Sequence, residues 1–157
     1  MSFSGGEKKR SIVVLVGLPG SGKSTYLEPM RGVLSSDSLR GLLADDETDQ
    51  NWQDRVFQTM RYLLRQRLAI GRPVTYIDAT NLTPEERRPY IGIGRSYGCE
   101  MEAVFFDTPP DVCRERNARR RRVVPEDAMA RLAAKLVPPR LEEGFDRITV
   151  ETPPPSA

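Results

Sequence analysis

Ser11-Ile12-Val13-Val14-Leu15-Val16-Gly17-Leu18-Pro19-Gly20-Ser21-Gly22-Lys23-Ser24-Thr25 is the stretch from which the fold of this chain can be read. Ile12 to Val16 is an apolar run rich in β-branched residues, the composition of a buried strand. The next eight residues match Gly-x-x-x-x-Gly-Lys-[Ser/Thr], and a segment able to start a helix follows. Strand, glycine-rich turn, helix is the setting in which this spacing cradles phosphates. Gly17, Gly20 and Gly22 permit turns that a Cβ would forbid. The backbone amides of Gly20, Ser21, Gly22, Lys23, Ser24 and Thr25 can then converge on phosphate oxygens at the positive end of the helix. Lys23 supplies a mobile cation to the outer phosphates, and Ser24 offers a hydroxyl to Mg²⁺.

Working outward, 157 residues make one domain with room for a proper core. Charged residues at 29% and hydrophobic residues at 38% suit a soluble globular protein. The net charge of +2 is too small to imply a nucleic-acid partner by itself. Its distribution is uneven: Arg114, Arg116, Arg119, Arg120, Arg121 and Arg122 crowd one stretch, and Asp45, Asp46, Glu47, Asp49 and Asp54 another. The chain has no histidine, which excludes any mechanism with a histidine base. Cys99 and Cys113 form neither a Cys-x-x-Cys pair nor a disulfide framework. They fit reduced thiols in a cytoplasmic compartment and argue against structural zinc. Lys8-Lys9-Arg10 before the apolar run resembles the opening of a secretory signal, but the run ends in the phosphate loop and no small-residue cleavage pattern follows. No stretch reaches the ~18 apolar residues of a membrane span. No feature calls for an obligate protein partner.

Residues 1–10 read as a flexible leader, 11–150 as the domain and 151–157 as a proline-rich tail that cannot pack as helix or central strand. The expected strands are Ile12–Val16, Gly32–Ser35, Val74–Asp78, Glu102–Phe106 and Arg147–Val150. The expected helices are Ser24–Met30, Ser38–Ala44, Trp52–Ile70, one capped by Thr83 and running to about Tyr97, Asp111–Arg119 and Glu126–Val137. In the longest, Trp52, Val56, Met60, Leu63, Leu64 and Leu68 share one face. Alternation of strand and helix predicts an α/β fold with a central parallel five-stranded sheet flanked by helices. Ligands of such sheets sit beyond the carboxyl ends of the strands. That rule selects the phosphate loop, Asp37, Asp78 with Asn81, and Asp107.

Asp37 could accept the proton of an attacking hydroxyl, and Arg40, three residues on, could clamp a phosphate on the acceptor. Equally, Asp37 could cap a helix and pair with Arg40 on the surface. Asp78 closes an apolar strand and could reach Mg²⁺ through water, with Asn81 adding an amide to the same rim. Asp-Ala-Thr-Asn could also be a turn held by its own side chains. The arginine run suits a mobile lid: one arginine could stabilise transferring charge while others remain solvated. Asp107 and Asp111 read as structural, the 45–49 stretch as a solvated loop, and Trp52 as core or helix-end packing.

Residues 12–136 resemble the 5′-kinase domain of the polynucleotide kinase family of P-loop kinases. The resemblance lies in Gly-Leu-Pro-Gly-Ser-Gly-Lys-Ser-Thr at 17–25, Ser-Ser-Asp-Ser-Leu-Arg at 35–40, Asp-Ala-Thr-Asn at 78–81 and Arg-Asn-Ala-Arg-Arg at 116–120 running to Val124-Pro125. It implies a P-loop kinase fold with an arginine-rich lid, ATP and Mg²⁺ as cofactors, and a 5′-hydroxyl end of DNA or RNA as acceptor. By the same resemblance Asp37 is the general base and Arg40 the acceptor-phosphate ligand. Lys23 and Ser24 serve ATP and Mg²⁺, Asp78 helps organise the acceptor side or the metal waters, and Arg120, with Arg116 as alternative, is the lid arginine. The excess arginines at 119–122 and the acidic loop depart from the family pattern, and no phosphatase or ligase module is expected in this length. Two other readings stay open. One is a small-molecule kinase acting on a sugar, antibiotic, nucleoside or nucleotide-sugar hydroxyl, and the other a non-catalytic nucleotide-binding switch.

Overall fold

The computed structural model describes residues 9–120 and 123–152. Five parallel strands, β1 (Ser11–Val16), β2 (Val33–Ser35), β3 (Val74–Asp78), β4 (Glu100–Phe106) and β5 (Arg147–Glu151), form one sheet in the order β2-β3-β1-β4-β5. The helices are α1 (Lys23–Leu27), α2 (Ser36–Ala44), α3 (Gln53–Ala69), α4 (Pro84–Ser96), α5 (Pro110–Ala118) and α6 (Glu126–Lys135), with a 3₁₀ turn at Gln50–Trp52. This is the fold expected from the strand–helix alternation.

The period of two along β1 builds the layers. Ile12, Val14 and Val16 face one side and pack with Val56, Met60, Leu64 and Leu68 of α3 and Tyr90 and Ile91 of α4. Val13 and Leu15 face the other side, with Leu27, Val104 and Phe106. A third cluster of Leu18, Leu82, Cys113 and Met129 sits beneath α5 and α6, so those helices root directly on the phosphate loop. Thr83 caps α4 in a full capping box with Glu86, with Pro84 at the first turn.

Two readings are refined. Trp52, read as core or helix-end packing, sits at the N-terminal end of α3, 47% exposed, and its indole Nε1 donates to Asp49 Oδ2 at 3.0 Å, so it closes the 3₁₀ turn at the helix end and is not core. Arg10, assigned to the leader, is clasped by the domain: its guanidinium donates to the carbonyls of Leu68 and Tyr97, each at 2.6 Å. Residues 1–8 and most of the proline-rich tail lie outside the described residues.

Candidate active site

The phosphate loop leaves β1 and turns back into α1 through Gly20 (φ 81°) and Gly22 (φ 113°). Gly20 answers a second demand as well. A Cβ there would lie 2.7 Å from the Cys113 carbonyl of α5, so only glycine lets the loop and that helix meet. Thr108, just past β4, donates its hydroxyl to the Ser21 carbonyl at 2.9 Å in the interior. The Ser21 side chain is fully buried. Lys23 folds over its own loop, donating to the carbonyls of Gly17 (2.7 Å) and Leu18 (2.9 Å). Burial holds its pKa down at about 8, against the pull of Asp78 and Asp37 and helped by Arg120.

Across the loop lie the ends of β2 and β3. Burial pushes the Asp78 carboxyl above its ordinary range. Nearby Asp37 adds to the shift, and Lys23 and the Ser35 hydroxyl oppose it. Asp37, in the first turn of α2, pairs with Arg40 at 2.8 Å. Both line the same cleft as Lys23, Ser24 and Asp78. Asn81 does not join them. It is 3% exposed, takes a left-handed conformation (φ 48°), and donates its amide to the Leu15 carbonyl at 2.7 Å. That bond ties the turn after β3 to the end of β1, as in the reading of Asp-Ala-Thr-Asn as a turn held by its own side chains, and Asn81 is not among the residues lining the cleft.

The arginines divide by face. Arg116 and Arg120 line the cleft, whereas Arg114 and Arg119 are exposed, Arg119 pairing with Glu115 at 2.8 Å. Arg121 and Arg122 lie outside the described residues. Buried Asn117 exchanges two hydrogen bonds with Val124, its Nδ2 donating to the carbonyl (2.7 Å) and its Oδ1 accepting from the amide (3.0 Å), which clips α5 to the approach of α6. Several wall residues carried no motif in the sequence. Glu47 and Thr48, expected in a solvated loop, line the cleft together with Gln50, Gln53 and Phe57. The cleft measures about 1230 Å³, above the ~300–1,000 Å³ of ordinary small-ligand pockets.

Residues 12–139 match the AAA_33 family, an AAA domain. The chain belongs to that family. Its five-stranded parallel sheet with flanking helices is a P-loop kinase fold. The transcription factor bHLH140 of Arabidopsis thaliana is 29% identical over 154 residues, covering 94% of this chain and 16% of the plant protein. The bifunctional polynucleotide phosphatase/kinase of Schizosaccharomyces pombe is 25% identical over 144 residues, covering 88% of this chain and 33% of the yeast protein. The chain thus spans a third or less of these curated relatives. A chain of the Pnkp1/Rnl/Hen1 RNA repair complex superposes with a TM-score of 0.70 at 20% identity, covering 87% of this chain and 47% of that one. Mycobacterium tuberculosis APS kinase CysC, solved with AMPPNP and APS, superposes with a TM-score of 0.60 at 22% identity, covering 96% and 92%. Both structures share the fold of this AAA domain.

Proposed function

We propose that this domain transfers the γ-phosphoryl group of ATP to the 5′-hydroxyl end of DNA or RNA. The observation that carries the reading is the placement of Lys23, Asp37, Asp78 and the Asp37–Arg40 pair on one cleft beyond the sheet. The amides of residues 20–25 and the Lys23 ammonium hold the triphosphate; Lys23 exchanges its loop carbonyls for phosphate oxygens. Ser24 and Asp78 line a common recess, a sparse oxygen set of the kind Mg²⁺ accepts because it keeps several of its waters. When bound, the ion neutralises charge on the phosphate oxygens. Asp37 takes the proton of the incoming hydroxyl. The hydroxyl oxygen bonds to the γ-phosphorus as the bond to the β–γ bridging oxygen breaks, and ADP leaves. Arg40 meets the phosphate next to that hydroxyl, and Arg120, with Arg116 beside it, meets the charge on the transferring group.

A second reading is favoured by Glu47, Thr48 and Gln50 on the cleft wall, which suit a neutral polyhydroxyl acceptor better than a polyanion. One assay separates the readings. The protein is incubated with γ-labelled ATP, Mg²⁺ and a 5′-hydroxyl oligonucleotide, beside a panel of sugars and nucleosides. Label on the oligonucleotide supports the first reading. Label confined to a small molecule supports the second, and ATP binding without transfer to anything removes both.

A further inference from the structure

Arg40 is held from two helices. Its Nη1 donates to Asp37 Oδ1 at 2.8 Å on α2, and its Nη2 donates to Gln53 Oε1 at 2.5 Å at the start of α3. Gln53 Nε2 donates in turn to Gln50 Oε1 at 2.6 Å. The amide can sit only this way round, since reversing it would set its NH₂ against the guanidinium and carbonyl against carbonyl. Arg40 is 3% exposed while the Asp37 side chain is 46% exposed, so the arginine is the fixed member of the pair. A planar guanidinium bound at two nitrogens by acceptors on different helices keeps one plane. Without Gln53, its remaining named partner is the half-exposed carboxylate, and exposed pairs hold geometry weakly.

We infer that Gln53 is a positioning residue: it fixes the plane of the Arg40 guanidinium and, through it, the Asp37 carboxylate at the cleft wall. The inference rests on the phosphoryl transfer proposed for this site. A neutral amide orients the guanidinium without adding a second negative charge to that of Asp37, so the Arg40–Asp37–Gln53 cluster is not made net negative toward an anionic acceptor. A carboxylate at position 53 would hold the same plane but, with Asp37, leave the cluster net negative.

The test combines kinetics with NMR of the arginine side chains. Steady-state rates with ATP and a 5′-hydroxyl oligonucleotide are measured for Gln53→Ala, Gln53→Glu, Arg40→Ala and the Arg40→Ala/Gln53→Ala double variant. Gln53→Ala is expected to lower kcat by about 10- to 100-fold, as a misplacement near 1 Å does, without moving the KM for ATP. Adding it to Arg40→Ala should cost nothing further. Gln53→Glu should recover most of kcat while raising the acceptor KM, a split that a purely structural role would not give. The Arg40 Nη signals should be resolved in the unmodified protein and merge in Gln53→Ala. Additive losses in the double variant, or Arg40 signals that stay resolved in Gln53→Ala, would overturn the inference. If the unmodified protein labels no oligonucleotide, the 5′-hydroxyl reading falls, and the NMR comparison still decides whether Gln53 holds Arg40.

Discussion

Lys23 carries a consequence that can be measured without an acceptor. Its pKa of about 8 in the free protein arises mainly from burial, and a bound polyphosphate stabilises the charged form and raises it. Above pH 8 the complex therefore holds a proton that the free protein has lost, so nucleotide affinity falls as pH rises. Below pH 8 Lys23 is charged in both states and contributes no slope. Titration of ADP by calorimetry from pH 7 to 9.5 should show proton uptake only in the upper part of the range, and Lys23→Met should abolish it. On the proposed reaction, Asp37→Asn keeps the size of the side chain and removes the proposed base. It should lower kcat by about 10²–10⁴-fold with nucleotide binding intact; turnover near that of the unmodified protein would remove Asp37 from the base role. Both residues were legible because each follows a strand in a short motif. Asn81 left two readings open, a rim amide or part of a turn held by its own side chains, and nothing in the sequence decides between them. Gln53 was invisible for another reason. It lies thirteen residues beyond Arg40 and meets it only because α2 packs on α3.

The elements follow their local chemistry closely, and the exceptions are where tertiary contacts intervene. Thr83-Pro84-Glu85-Glu86 announces α4, and its capping box forms as the pattern requires. The α6 helix stops at Lys135, short of the expected Val137, because the Val137 amide donates to the Leu82 carbonyl at 2.8 Å. The 45–49 stretch is the exposed loop its acids suggest, and from it Glu47 and Thr48 also border the cleft. The junction of the phosphate loop with α5 supplies a prediction at this scale. Gly20→Ala sets a Cβ against the Cys113 carbonyl and demands a left-handed backbone of a residue that resists it. The loop must separate from α5, and ADP should no longer raise the melting temperature, while circular dichroism shows the sheet and helices retained.

Across the whole molecule, one buried cation joins distant parts of the chain. Arg87 of α4 is fully buried; its Nε and Nη2 donate to the two carboxylate oxygens of Glu143 at 2.8 and 2.9 Å, and its Nη1 to the carbonyls of Asn81 and Val137. It thereby links the turn behind Asp78 to the segment after α6. Arg87→Ala strands Glu143 and two carbonyls, and should cost about 3–5 kcal/mol in urea unfolding. Among the described residues no helix is long and apolar enough to cross a membrane.

The order of the sheet also has a consequence for how the chain is made. β1 lies at its centre, and Ser11 pairs with Val74 on one side and Glu100 on the other. During synthesis this greasy ribbon precedes the other four strands and must wait about sixty residues for β3 and about ninety for β4, so the strand that anchors the phosphate loop stays unpaired longer than any other of the sheet.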